Sequence, residues 1–279
     1  MRLVTYRSDR GPRAGVLRGE ALVDAWDALG GGGSSVRELL AQGRLAELED
    51  LSDEEAQPLG ETELLPPVPG PEKIICIGLN YRAHAAEAGI DPPSSPTFFA
   101  KFRNALAPSG ATVALPEASD KVDFEAEVAF VVGRRSKSVS EEEAADCIAG
   151  YTLMNDLSAR DLQFATPQWM PGKVFDGAAP CGPALVTPEE ALSDHGTISF
   201  SLTLNGEEMQ AASITDLIFS PPELLARLSR LMTLEPGDLV ATGTPSGVGS
   251  TREPRVWLKR GDEIAISSPS LGRLETRIG

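Results

Sequence analysis

Two glutamates stand two positions apart in a largely apolar segment. Glu125 and Glu127 lie within Val122–Val132, which alternates at first and then becomes fully apolar, as a buried strand does. Side chains at i and i+2 of a strand point to the same face. Neighbouring buried carboxylates repel each other, and a divalent cation would neutralise both through hard oxygen ligands. The spacing therefore predicts a metal site, with a solvated strand face as the alternative.

A third oxygen ligand could come from Asp156. This residue follows Tyr151–Leu153, which has the composition of a strand, so its carboxylate would stand at a strand end. A turn or a helix cap is the alternative, because the run 155–158 has good turn chemistry. A site made only of oxygen ligands favours Mg²⁺, with Mn²⁺ or Ca²⁺ as substitutes, over zinc.

One of the two histidines has a carboxylate within reach. The chain after Asn80, a candidate helix cap, has helical character from Tyr81, which puts His84 and Glu87 at i and i+3 on one face. A carboxylate that accepts a proton from imidazole raises its basicity, as a base that activates water requires. An exposed helix pair is the alternative. His195 lies in a segment with the composition of a surface turn.

Four further polar side chains could contact substrate oxygens. Lys173 could hold a carboxylate or an oxyanion, and Thr244 could donate its hydroxyl. Arg160 and Gln163 are similar cases. A solvated loop lysine and ordinary turn structure are the alternatives.

The elements that would position these residues are mostly strands. The predicted strands are Arg2–Tyr6, Gly15–Leu17, Ile74–Ile77, Val122–Val132, Tyr151–Leu153, Ile198–Leu204, Asp238–Ala241, Arg255–Leu258 and Glu263–Ile266. Asn205-Gly206 is a strong hairpin signal. The predicted helices are Val36–Glu49 with Ser35 as its cap, Ser140–Ile148 with a capping box, and Pro222–Met232.

This pattern predicts a mainly β, α+β protein in two parts. Residues 1–66 form a small α+β unit, and the proline-rich stretch Leu65–Gly70 is the clearest linker. Residues 70–279 form the larger, strand-rich part. Regular βαβ alternation is absent from the sequence, which disfavours a doubly wound fold.

Composition excludes several classes of protein. The chain has 279 residues, with 25 basic and 41 acidic side chains and a net charge of −16, and should therefore repel nucleic acid and anionic membranes. Its apolar runs are too short for a membrane span, and its polar N-terminus is unlike a signal peptide. The three cysteines are far apart, which favours free buried thiols and a cytoplasmic location.

Five segments in this order resemble the fumarylacetoacetate hydrolase family. They are GLNYRAHAAEAG (78–89), KVDFEAEVAFVVG (121–133), MNDLSARDLQ (154–163), GKVFDGAAPCGP (172–183) and LEPGDLVATGTPSGVG (234–249). The resemblance covers about residues 70–279, and residues 1–66 look like the variable leading domain of the family. It implies a mixed β-sandwich roll, often a homodimer, with Mg²⁺ or a similar ion at the base of an open cleft.

The resemblance also implies roles for particular residues. The metal ligands would be Glu125, Glu127 and Asp156. The water-activating pair would be His84 and Glu87, on a segment that closes over substrate. Positions that bind substrate oxygens are Lys173, Arg160, Gln163 and Thr244. Two departures are visible: Val174 replaces a serine of many relatives, and Gln210-Ala211-Ala212-Ser213 lacks the usual polar run, which puts contacts from that loop in doubt.

The implied reaction is hydrolysis of the C–C bond of a 2,4-dioxo acid, an acylpyruvate such as fumarylpyruvate, to pyruvate and a carboxylic acid. His84 would deprotonate water, and Lys173 with Gln163 would steady the oxyanion. The alternative within the family is decarboxylation of an oxaloacetate-like acid, or isomerisation of 2-hydroxyhepta-2,4-diene-1,7-dioate in aromatic-compound catabolism. A non-catalytic, metal-dependent binding protein is the alternative from another class. It would not need His84, Glu87 and Lys173 together.

Overall fold

Strands predominate in the protein. The computed structural model describes residues 1–49, 51, 56–87 and 89–279. The strands, in chain order, are β1 Arg2–Ser8, β2 Gly11–Arg18, β3 Ala21–Asp24, β4 Gln57–Pro58, β5 Leu64–Leu65, β6 Ile74–Gly78, β7 Thr97–Lys101, β8 Leu106–Ala107, β9 Ala111–Val113, β10 Val122–Asp123, β11 Ala126–Val132, β12 Ile148–Asn155, β13 Ser158–Ala159, β14 Ala179–Val186, β15 Ser199–Leu204, β16 Glu207–Ser213, β17 Leu239–Ala241, β18 Glu263–Ser268 and β19 Gly272–Ile278.

The helices are short. They are α1 Ala25–Ala28, α2 Val36–Ala41, α3 Arg82–Glu87, α4 Glu141–Ala145, α5 Arg160–Gln163, α6 Pro188–Ala191 and α7 Pro221–Leu231. Single 3-10 turns occupy Leu45–Leu48, Arg103–Ala105, Met170–Gly172, Ile214–Asp216 and Gly249–Thr251. In the described part of the chain, no helix is long and apolar enough to cross a membrane.

A large mixed sheet forms the centre of the fold. Within the described ranges its main path has the order β4-β3-β2-β1-β14-β12-β11-β17-β6-β7. Strands β11 and β12 lie in the middle and are buried at every position, because both faces of the sheet are covered and the apolar run of β11 has neighbours on both sides. A second sheet has the order β16-β15-β18-β19-β9, and its strand β19 packs against β14. The prediction of a mainly β, α+β fold is confirmed.

The first 66 residues share the large sheet with the rest of the chain. Strand β1 pairs with β14, with Arg2 opposite Val186, and β2, β3 and β4 extend the sheet outward. One continuous apolar core includes Leu3 and Trp26 together with Phe130 and Leu153. The boundary between 1–66 and 70–279 stays a prediction.

Local signals at turns and caps gave accurate predictions. The Asn205-Gly206 turn joins β15 to β16 with positive φ at both residues, as a tight hairpin with a matching twist requires. Ser35 and Ser140 each cap a helix through a complete capping box. Cys76, Cys147 and Cys181 are free and buried, as expected.

Several predicted elements are wrong in extent. The helix over Val36–Glu49 ends at Ala41, because Gly43 has a φ of +66° and turns the chain. The helix begun by Ser140 ends at Ala145, and Ile148 already starts β12. The segment Arg255–Leu258 is not a strand.

Candidate active site

Three carboxylates meet where the two central strands end. Glu127 is the second residue of β11, Glu125 directly precedes that strand, and Asp156 directly follows β12. The Asp156 N–H donates to the Glu125 carbonyl at 2.9 Å. The antiparallel register therefore places all three residues at the same end of the β11–β12 pair. One ligand oxygen from each lies within 4.8 Å of the others, and all three residues are buried. The sequence predicted a single strand over Val122–Val132, but the chain leaves the ladder at Phe124 and Glu125.

Three buried cations surround this carboxylate triad. Lys173 Nζ lies 2.8 Å from Glu125 and 2.9 Å from Asp156. Arg160 contacts the other oxygen of Glu125 at 2.6 Å, and Lys101 Nζ lies 2.8 Å from Asp156 Oδ1. These ion pairs offset part of the cost of burying the acids. Nothing in the sequence indicated the role of Lys101, since a single lysine carries no motif.

The cations are unevenly shared among the three acids. Burial would raise the pKa of Glu125, but Arg160 and Lys173 outweigh it and hold this pKa at about 2. For Glu127, burial together with Asp156 and Glu125 raises the pKa well above its usual value. Its Oε2 accepts a hydrogen bond from the Gly243 N–H at 2.9 Å. The triad therefore holds more negative charge than its protein partners neutralise.

This donor set fits a hard divalent cation. The triad offers only carboxylate oxygens, which suit Mg²⁺, Mn²⁺ or Ca²⁺ rather than zinc. Burial, together with Asp156 and Glu125, raises the pKa of Glu127, and a positive charge beside it would lower that pKa. A bound cation would supply that charge.

His84 and Glu87 lie on α3, and His84 lines a cavity that also contains Glu125 and Glu127. The His84 Nδ1 is 3.1 Å from Glu87 Oε2, and the other Glu87 oxygen accepts from the Gly247 N–H at 3.0 Å. With Glu87 as acceptor for a proton on Nδ1, a neutral imidazole keeps its lone pair on Nε2. The geometry suits a base, because His84 lines the cavity.

Asn80 does not cap this helix as the sequence suggested. Its side-chain amide instead donates to the Phe219 and Thr242 carbonyls at 3.0 and 2.8 Å, and its oxygen accepts from the Phe219 N–H. Asn80 is fully buried and joins the start of α3 to the loop after β17. It therefore positions the His84 segment from behind.

Arg160 and Gln163 lie on α5 and bond to each other at 2.9 Å. Both line the cavity. Arg160 also contacts Asp123 at 2.9 Å, a buried acid whose oxygens accept from the Gly249 and Ser250 N–H groups at 2.7 and 3.0 Å. The sequence did not single out Asp123, because it reads as an ordinary residue near the start of a predicted strand. Its carboxylate joins the Arg160 guanidinium to the backbone of Gly249 and Ser250.

Thr244 and Gln210 form a bridge between the two sheets. The Thr244 hydroxyl donates to the Ala126 carbonyl at 3.0 Å and accepts from Gln210 at 2.9 Å. The Gln210 side-chain oxygen in turn accepts from the Ala126 N–H at 2.9 Å. Contacts from the run Gln210–Ser213 were in doubt from the sequence, and the structure shows that Gln210 fixes the backbone beside Glu125 and Glu127.

A cavity of about 440 Å³ lies over the triad. Its polar floor holds Glu125, Glu127 and Lys173, and one wall is apolar, with Ile77, Phe99 and Trp169. The Lys173 ammonium lies 4.8 Å from the centre of the Phe99 ring. All the predicted site residues except Glu87 and Asp156 line this cavity, and those two contact residues that do. Its size suits a small organic molecule.

Comparison with known proteins supports the resemblance seen in the sequence. Residues 73–279 match the family model described as fumarylacetoacetate (FAA) hydrolase C-terminal. A mitochondrial oxaloacetate tautomerase of Xenopus laevis is 41% identical over 77% of this chain and 68% of its own.

Solved structures agree with this assignment. The fumarylacetoacetate hydrolase of Exiguobacterium antarcticum is 30% identical with a TM-score of 0.88, covering 100% of this chain and 99% of its own. The maleylpyruvate hydrolase of Sphingobium sp. SYK-6, in complex with manganese(II) and pyruvate, is 29% identical with a TM-score of 0.78, covering 100% and 98%. The chain is therefore an enzyme of the fumarylacetoacetate hydrolase family, with the α+β fold of that family.

Proposed function

We propose that the chain is a divalent-metal-dependent isomerase that interconverts the keto and enol forms of an oxaloacetate-like 2-oxo acid. The observation that carries the proposal is the buried triad of Glu125, Glu127 and Asp156 at the floor of a small-molecule cavity. The similarity to an oxaloacetate tautomerase favours isomerisation. Hydrolysis of a 2,4-dioxo acid stood first in the sequence analysis, and the comparisons support the isomerase alternative better.

The triad would hold the metal, with Mg²⁺ as the first candidate and Mn²⁺ or Ca²⁺ as substitutes. A bound cation would act as a Lewis acid that stabilises negative charge on the substrate's 2-oxo oxygen. The manganese and pyruvate in a similar maleylpyruvate hydrolase support this choice of ligand. Lys173 helps to keep Glu125 ionised, because its ammonium bonds to that carboxylate as well as to Asp156.

Keto–enol interconversion moves one proton and breaks no carbon–carbon bond. In the direction of enolisation, His84 takes a proton from C3 at Nε2 while Glu87 holds Nδ1. The 2-oxo oxygen gains a proton from solvent, and His84 returns its own to solvent, so protons balance. The Arg160 and Gln163 side chains line the same cavity and would orient the substrate carboxylate.

Hydrolysis is the second candidate, because the His84–Glu87 pair is also suited to activate water. In that reaction His84 would deprotonate a water that attacks the distal carbonyl of an acylpyruvate. Decarboxylation of oxaloacetate needs no such base. The three reactions share the metal site and differ in what His84 does.

A side-by-side assay separates these reactions. Metal-free protein receives Mg²⁺ and then oxaloacetate, acetylpyruvate or fumarylpyruvate, while enol absorbance, pyruvate, CO₂ and the free acid are followed. We expect fast enol–keto conversion of oxaloacetate with no excess pyruvate or CO₂ over the protein-free control. Pyruvate with acetate or fumarate would establish hydrolysis instead, and pyruvate with CO₂ would establish decarboxylation.

We also propose that the protein forms a homodimer. Strand β7 lies at the end of the main sheet path. Phe98 within this strand is 41% exposed, and Phe102 directly after it is 52% exposed. Exposed aromatic groups at a sheet edge favour association with another surface. Light scattering should give twice the chain mass, and Phe98→Lys should lower it.

A cytoplasmic location and a role in aromatic catabolism stay predictions.

A further inference from the structure

One wall of the cavity carries two cations without acidic partners. Lys121 and Arg255 both line the cavity and are exposed. Among the residues that the structure describes, neither side chain forms an ion pair with an aspartate or a glutamate, whereas the nearby Arg160 pairs with Asp123 and Glu125. Acidic side chains outnumber basic ones by 41 to 25, so uncompensated cations in a cavity favour an anionic ligand there.

Backbone hydrogen bonds join the segments that carry Arg160, Lys121 and Arg255. The Arg160 N–H donates to the Lys121 carbonyl at 2.9 Å, and the Leu258 N–H donates to the Val122 carbonyl at 2.8 Å. Lys121 therefore lies between Arg160, which touches Glu125, and the segment that carries Arg255. Both cations line the cavity that also contains Glu125 and Glu127, so a ligand held at the triad would share this cavity with them.

The segment around Arg255 is held in place although it has no regular structure. The Arg252 guanidinium donates to the Gly247 and Met209 carbonyls at 3.0 and 2.6 Å. The Val256 N–H donates to the Gly249 carbonyl at 3.0 Å. These contacts on both sides fix the backbone of Arg255, and the half-buried Trp257 lines the same cavity. Arg255 therefore lies in a part of the cavity lining whose backbone is held by hydrogen bonds.

One acid in this part of the cavity has to be considered. Asp161 also lines it, and its Oδ1 accepts from the Ser119 hydroxyl at 2.5 Å and from the Leu162 N–H at 2.9 Å. Those bonds hold the carboxylate between Ser119 and the backbone of α5. Two cations against one acid leave the outer cavity with a net positive charge.

We propose that Arg255, assisted by Lys121, binds the distal carboxylate of the substrate and selects dicarboxylic over monocarboxylic 2-oxo acids. The inference rests on the proposed function, because it requires the 2-oxo acid end to bind at the triad. Arginine suits this role, since its planar fork can bind a carboxylate through two parallel hydrogen bonds. Arg255 would be a specificity residue that contributes little to the proton transfer itself.

The test uses two pairs of acids matched in carbon number. Binding of 2-oxoglutarate and 2-oxopentanoate is measured by calorimetry with Mg²⁺, and turnover of oxaloacetate and 2-oxobutyrate by C3 deuterium exchange. The proteins are the wild type, Arg255→Gln, Arg255→Lys, Lys121→Gln and a control, Arg260→Gln. Arg260 is exposed like Arg255 but lies outside the cavity lining, so this control makes the same change in net charge.

We expect Arg255→Gln to weaken binding of the diacid about tenfold and leave the monoacid unchanged. The loss should appear in KM rather than kcat, should be smaller in Arg255→Lys and in Lys121→Gln, and should be absent in Arg260→Gln. Equal effects on both acids, or no effect on either, would overturn the inference. Arg255-dependent diacid binding without turnover would keep the inference and refute the proposed function. Binding of neither acid by the wild type would refute both.

Discussion

The carboxylate triad and the His84 helix serve one cavity but are built differently. The triad residues are buried, and three buried cations and the register of β11 and β12 hold them. In contrast, the side chains of His84 and Glu87 are 15% and 25% exposed, and α3 has only six residues. Under the proposed function, metal binding would therefore depend on the core, whereas proton transfer would depend on a short surface helix.

This difference has a consequence for substitutions. A change in the triad should alter metal binding, turnover and folding together, because the same contacts serve all three. A change at His84 should alter turnover alone.

Replacing Glu125 should have the largest effect. Glu125→Ala removes a metal ligand and leaves Arg160 and Lys173 without their shared carboxylate. We expect loss of Mg²⁺ binding and of activity, with a destabilisation of about 3–5 kcal/mol. Calorimetry, turnover and urea unfolding measure the three effects, and Glu125→Gln is the control of similar shape. Retained activity in Glu125→Ala would show that the metal is held elsewhere.

His84→Ala should separate turnover from binding. We expect a loss of about 10²–10⁴-fold in the rate of C3 proton exchange, since this variant removes the base. Mg²⁺ affinity and stability should remain close to those of the wild type, because the imidazole is partly exposed and contacts no triad residue directly. A variant that exchanges the proton at the wild-type rate would rule out His84 as the base.

Glu127 should make the metal-free protein sensitive to pH. Its pKa is raised in the fold, so the stability gained by holding a proton is lost as pH rises above the unfolded value toward the folded one. Mg²⁺ would replace that proton, and its stabilising effect should therefore grow as pH rises above the ordinary carboxyl pKa of 4.5. Melting curves with and without Mg²⁺ test this.

Glu127→Gln is the matched variant for the pH experiment. It mimics the protonated acid and removes the repulsion from Glu125 and Asp156, so the metal-free variant should be at least as stable as the wild type. Its stability should also change less with pH. An unchanged pH profile in this variant would mean that another group titrates.

Gln210→Ala should have a moderate effect. It leaves the Ala126 N–H without its buried partner and removes the hydrogen bond that the Thr244 hydroxyl accepts. We expect a loss of about 1–3 kcal/mol in unfolding free energy, together with weaker Mg²⁺ binding, because Ala126 stands between two triad residues. Urea unfolding and calorimetry measure both. Unchanged metal affinity would show that this bridge supports the fold but not the site.

The clustering of Glu125 and Glu127 could be predicted because its signal is local. The i, i+2 spacing of Glu125 and Glu127 within an apolar strand depends only on strand geometry. The caps at Ser35 and Ser140 and the Asn205-Gly206 turn likewise depend on a few neighbouring residues.

The rest depends on contacts between distant segments. Lys101, Asp123 and Gln210 bond to residues 72, 126 and 84 positions away in sequence, respectively, and no local pattern marks them. The segment Arg255–Leu258 has the apolar and aromatic composition of a strand, but its backbone bonds to Gly249 and Val122 replace a regular ladder. Tertiary contacts overrode propensity there.

The most direct test of the account is the rate of oxaloacetate enol–keto conversion as Mg²⁺ is titrated into metal-stripped protein. Wild type and Glu125→Gln are measured side by side against the protein-free reaction. We predict a rate that rises with Mg²⁺ and saturates in the wild type, and no acceleration in the variant at any Mg²⁺ concentration. Full activity of the metal-stripped wild type, or equal rates for the two proteins, would contradict a catalytic metal at the carboxylate triad.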